Sequence, residues 1–200
     1  MNPVKKAKRI SPARLLGLLA LSLVVNWPGM AGAQNVFRTQ EADIYYTSPS
    51  DLQVLESRLT FHRMNSLHLK NVSTPDPAQA ALAPGLTAKV DGLLAQVRHI
   101  LHFCPKNRER LRIVLLQDGR EVRERHLVFN PERGRPLFGY GSMEGFYEPR
   151  SRTIFLSLKD VRSGVLAHEM THFILCECVA LPPPEAMQED WARYVETQVN

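Results

Sequence analysis

Little in this 200-residue chain points to a membrane span, a nucleic-acid binder or a disulfide-stapled scaffold. Its three cysteines, Cys104, Cys176 and Cys178, allow one bridge at most and leave a thiol over. Cys176 and Cys178 stand two apart on a predicted helix and point to different sides, so any bridge is expected to join Cys104 to one of them. The apolar stretch Leu15–Val25 is eleven residues, against about 20 for a bilayer-spanning helix. It follows the basic residues Lys5, Lys6, Lys8, Arg9 and Arg14. Asn26-Trp27-Pro28-Gly29 ends it, ahead of the small-residue site Ala31-Gly32-Ala33. That order reads as a signal peptide over residues 1–33. No cysteine stands directly after the stretch, at the cleavage site, which argues against a lipid anchor, and no stable membrane anchor is expected after cleavage. Residues 34–200 are then one domain, periplasmic or secreted. Surplus charge is also missing. Five of the 25 basic residues and none of the 20 acidic ones precede Gln34, so the remainder carries 20 of each. There is no general electrostatic case for nucleic acid or a membrane surface as partner.

What is present is His168-Glu169-Met170-Thr171-His172, an H-E-x-x-H run. On a helix, positions four apart share a face, so both imidazoles can meet one metal ion. Glu169, one step round, can then take a proton from a water held there.

The surrounding pattern is α+β. Asp43–Thr47 reads as a short strand, and Ser48-Pro49-Ser50-Asp51 as a turn and cap opening a helix from Leu52 to about Met64. A second helix runs from Leu86 to Phe103, where Val90, Leu93, Leu94, Val97, Ile100 and Leu101 recur at helical spacing. Arg112–Gln117 is a buried strand ended by Asp118-Gly119, and Glu121–His126 starts a short helix. Tyr140–Tyr147, the turn 148–151 and Thr153–Leu156 read as a hairpin. The motif helix begins near Val161 and runs to Val179. Pro182-Pro183-Pro184 stops it, and Glu185–Val199 forms a last helix with Met187, Trp191, Tyr194 and Val195 at apolar spacing.

Two histidines do not complete a catalytic zinc site, which takes three protein ligands and an open position. Glu189, Asp190, Glu185 and Glu196 on the last helix all compete for the third place. Here the chain resembles the gluzincin metallopeptidases, the peptidase MA-like group. The likeness lies in a hairpin, an H-E-x-x-H helix, a proline-containing connection and an E-G-x-A-x-Y segment, and it spans about residues 139–197. The matching positions are His168, Glu169 and His172, then Glu189, Ala192 and Tyr194, with Asp190 where the family has Gly. The resemblance implies a zincin-like fold: a small mixed or antiparallel sheet whose edge hairpin packs against the motif helix, followed by a C-terminal third-ligand helix. It implies one zinc ion per chain on His168, His172 and Glu189, with Glu169 as general base. Gly141-Ser142-Met143-Glu144-Gly145 also resembles the G-x-M-E-N segment of the aminopeptidase branch, where the Glu holds the substrate's free amine.

The implied activity is hydrolysis of a peptide or protein substrate. The substrate is expected to lie along Thr153–Leu156 as an added strand. Tyr194, Tyr147 and His126 are the candidates for stabilising the oxyanion, and Tyr194 is alternatively a core aromatic beside Trp191. Larger gluzincins continue into a further subdomain, whereas Asn200 follows Tyr194 by six residues. A protein partner completing the cleft is therefore a further expectation. The competing class is a zinc-binding, non-catalytic protein that acts in peptide binding or assembly. It would retain His168, His172 and Glu189 without needing Glu169.

Overall fold

The computed structural model describes residues 35–60, 81–102, 110–131, 143–178 and 181–199. The expected bridge through Cys176 is not made, since Cys176 is a free thiol. Cys104 and the Cys178 side chain lie outside the described residues.

Five strands and five helices are described, giving a mixed α+β fold. Strands β1 (Asn35–Arg38) and β2 (Ala42–Tyr46) form an antiparallel pair. Helices α1 (Pro49–Arg58) and α2 (Leu86–Leu101) follow, then β3 (Leu111–Leu116) and α3 (Gly119–Phe129). The hairpin β4 (Gly145–Glu148) and β5 (Thr153–Ser157) precedes α4 (Ser163–Cys178) and α5 (Glu185–Val199). The sheet order is β1-β2-β3-β5-β4. β2, β3 and β5 run parallel, and an antiparallel strand closes each edge.

Strand β1 was not expected, and it forms one border of the sheet. A correction of more consequence concerns β5. Thr153–Leu156 is not an edge, because β3 takes one side of it and β4 the other. Its backbone groups are already paired, and all five of its residues are buried. Among the described residues, the edge strand beside the motif helix is β4.

Side-chain alternation sorts the sheet into two faces. Ile44, Ile113, Leu115, Ile154 and Leu156 join the main core with Leu52 and Leu55 of α1, Leu93 and Leu94 of α2, and Leu166, Met170 and Ile174 of α4. On the other face Phe146 stacks on Phe155 at 4.9 Å between centroids, and Phe129 of α3 sits 5.5 Å from Phe155. Asp91 ties α2 to the β1–β2 turn. It accepts from the Thr39 hydroxyl at 2.6 Å and from the backbone N–H groups of Gln40 and Glu41 at 3.0 and 3.2 Å.

Helix α4 is apolar nearly all round. Val165, Leu166, Ala167, Met170, Phe173, Ile174 and Leu175 are all buried, the pattern of a helix enclosed by its neighbours. Burial of each large side chain contributes about 1.5–3 kcal/mol, so the helix carrying the histidines has little freedom to rotate. The β4–β5 turn is tied to its C-terminal end. The Glu148 carboxylate accepts from the backbone of Arg150 and Ser151. Arg152, in the left-handed region at φ 54°, donates Nε to Glu177 of α4 at 2.8 Å.

Helix α5 packs on α4 with a different face from the one expected. Ala192, Val195 and Val199 are buried, whereas Met187, Trp191 and Tyr194 are 48%, 39% and 57% exposed. At about 100° per residue, Ala192, Glu196 and Val199 lie within one quadrant of one another, and Trp191 and Tyr194 point away from them.

Candidate metal centre

The two imidazoles project from adjacent turns of α4, with ring centroids 5.1 Å apart. Glu189 of α5 reaches both of them. Its Oε2 lies 3.5 Å from His168 Nε2 and its Oε1 3.4 Å from His172 Nε2. One ligand atom from each of these three residues lies within 4.8 Å of the other two, close enough to bind a metal ion. Ligands at 2.0–2.1 Å around a tetrahedral centre stand about 3.3–3.4 Å apart, a spacing that each imidazole approaches with a different Glu189 oxygen. Among the described residues no other group of three or more His, Cys, Asp or Glu side chains meets this condition. Asp190, Glu185 and Glu196 are therefore not in the set.

Both histidines are held a second time, again from α5. His168 Nδ1 lies 3.4 Å from Glu196 Oε2, and His172 Nδ1 lies 3.4 Å from Gln188 Oε1. Arg162 stands 3.8 Å from the other Glu196 oxygen. Metal-bound imidazoles commonly have such outer partners, which orient the ring. The sequence reading weighed Glu196 only as a rival ligand and missed Gln188. Gln188's position immediately before Glu189, on the helix face toward α4, was the available signal.

A cavity of about 550 Å³ opens on this set, lined by α3, β4, α4 and α5. Glu169 lines it and is only 7% exposed. Burial pushes its carboxyl up to about 8, and the Glu189 carboxylate acts in the same direction. A hydrogen bond from the Tyr147 backbone N–H opposes them. Burial likewise holds the His172 imidazole below its ordinary value, assisted by His168 and opposed by Glu189. No Lys or Arg is among the described residues that line the cavity.

Of the three candidate oxyanion donors, the cavity includes His126 and Tyr147 but not Tyr194. Tyr194 follows Glu189 by five residues, which turns it about 140° round α5 and into solvent. Tyr147 packs edge-on against Phe173, with centroids 6.0 Å apart. Its buried hydroxyl has no hydrogen-bond partner among the described residues. Glu144, the candidate for holding a substrate amine, is absent from the cavity wall, and its carboxylate accepts from Arg162 at 3.0 Å. Cys176, one turn beyond His172, lines the cavity but stands outside the ligand set.

Gly145 is where the edge strand comes closest to α4. A Cβ there would meet Leu156 Cδ2 at 3.0 Å, the Phe155 carbonyl at 3.1 Å and Glu169 Cγ at 3.4 Å. A backbone carbonyl cannot step aside, which is why the first residue of β4 is glycine. Gly145→Ala is expected to lower stability by about 1–3 kcal/mol through overpacking. Thermal denaturation checks this, and a variant that melts at or above wild type would show that the contact yields without cost.

No family model, curated protein or solved structure matches the chain.

Proposed function

We propose that the chain is an extracytoplasmic zinc metallopeptidase of the gluzincin type on a zincin-like scaffold. His168, His172 and Glu189 hold the ion, and Glu169 is the general base. The observation that carries this reading is the meeting of two imidazole Nε2 atoms with one carboxylate, in a cavity that Glu169 also lines. Two histidines and one acid leave a coordination position open, as catalytic rather than structural zinc requires. When bound, zinc acidifies water and polarises a carbonyl oxygen.

The remaining work belongs to the chain's own groups. Glu169, oriented by the Tyr147 N–H, accepts the proton of the attacking water on a carboxylate oxygen and hands it to the departing nitrogen. The substrate backbone lies against the edge strand β4, where Gly145–Glu148 line the cavity. His126 and Tyr147 are the cavity's candidate donors to the carbonyl oxygen as charge develops on it. Among the described residues no helix is long and apolar enough to cross a membrane.

Elemental analysis and cleavage of a diverse peptide library test the reading. About one zinc per chain is expected, with cleavage that a chelator abolishes and added zinc restores. A chain that takes up no zinc on reconstitution overturns it. One that holds zinc but cleaves no peptide supports the non-catalytic class instead.

A further inference from the structure

Gln188 makes two contacts whose combination decides the protonation of a neighbouring ring. Its Nε2 donates to the Pro183 carbonyl at 2.7 Å, and its Oε1 lies 3.4 Å from His172 Nδ1. A carboxamide has one end that only donates and one that only accepts, and a backbone carbonyl only accepts. The Pro183 contact therefore settles which way the amide points. An oxygen facing Nδ1 makes a hydrogen bond only when Nδ1 carries the hydrogen. A neutral imidazole has one N–H, so Nε2 is left with its lone pair, and this is the atom 3.4 Å from Glu189 Oε1. Two electron pairs facing each other at that distance repel unless a cation lies between them.

We propose that Gln188, anchored by the Pro183 carbonyl, is a positioning residue that sets His172 in its Nδ1–H tautomer before any metal arrives. The helix takes its own first bonds elsewhere: Met187 and Gln188 donate their backbone N–H groups to Pro184, which leaves the Pro183 carbonyl to the side chain. Pro184 restricts the ψ of Pro183 and with it the direction of that carbonyl. The connection between α4 and α5 therefore reaches the ligand through a carbonyl, an amide and a ring. Glu196 treats His168 in the same way with a carboxylate, which also only accepts. The purpose of the device rests on the metal-centre reading, but its first observable does not require metal.

The test uses the full chain, labelled with ¹⁵N-histidine and free of metal, at about pH 8, where the His172 imidazole, held below its ordinary value by burial, is neutral. Two-bond ¹⁵N–¹H correlations are expected to show His172 with a protonated Nδ1 and an unprotonated Nε2. Gln188→Met keeps the length and helix preference of the side chain but loses the acceptor. It is expected to abolish the tautomer bias and weaken zinc binding by about 10–100-fold, with the circular dichroism and melting of the apo chain unchanged. Gln188→Glu restores an acceptor oxygen toward Nδ1 but not the donor to the Pro183 carbonyl, so it should recover the tautomer and only part of the affinity. A wild-type His172 protonated on Nε2 overturns the proposal, as does a Gln188→Met chain with the wild-type tautomer. If the chain binds no zinc but shows the Nδ1–H form, the peptidase reading falls and this inference stands. If it binds zinc with an Nε2–H apo form, the reverse holds.

Discussion

Glu169→Gln is expected to lower kcat by about 10²–10⁴-fold, the range that a positioned proton acceptor contributes, while the chain keeps its zinc. The carboxamide has the shape of the carboxyl and can still accept from the Tyr147 N–H. It cannot take a proton from water. Glu169 is not among the three residues that could hold the ion, so metal content should not change. Steady-state cleavage together with metal analysis of the same preparation makes the check. Equal turnover in wild type and variant would remove Glu169 from the mechanism and leave the non-catalytic class standing.

Glu189→Ala is expected to weaken zinc binding by more than the roughly 10–100-fold that loss of an outer partner brings. Two imidazoles on one helix would remain, without the carboxylate that closes the set. The apo fold should tolerate the change, because the Glu189 side chain is 38% exposed and its two contacts are to the histidines. The contrast is clearest in melting curves with and without metal. A ligand at about 1,000 times its Kd stabilises the folded state by about 4 kcal/mol, and that increment should disappear in the variant while the metal-free curve stays put. Competition with a chelating dye supplies the affinity. Wild-type affinity in Glu189→Ala would mean that another acid, with Glu196 nearest to His168, completes the site.

The histidine pair was legible from a local rule, whereas Glu189 stood out among the four competing acids only through the family likeness. A four-residue spacing puts His168 and His172 on one helix face, and the proline run turns the chain so that a following acid can return. β3 and β5 were also readable as apolar runs, but their neighbours were not. Pairing is a long-range choice, so nothing local to Thr153–Leu156 revealed that β4 would take the edge. β1 is four residues long and partly exposed, too short for its alternation to be distinctive. Helix α5 misled for a reason tied to the site. Polar Gln188, Glu189 and Glu196 share the inward face with Ala192, Val195 and Val199, so the largest apolar residues mark its outer side. A pattern that assumes apolar residues point inward fails where the inward face carries a polar cluster, and Tyr194 was misplaced with it. Gln188 escaped because its one signal, its place immediately before Glu189, does not say what a side-chain amide there would bond to.

Each border of the sheet is a strand of only four residues, β1 on one side and β4 on the other. Long unpaired borders act as templates on which a second chain can dock, and short ones limit that risk. The same brevity limits what β4 can grip. An edge of four residues, one of whose N–H groups already serves Glu169, offers very few backbone bonds to a bound peptide. On the proposed reading, a peptide pairing with β4 would be held over a short register, and more of its affinity would have to come from side-chain pockets beside the strand.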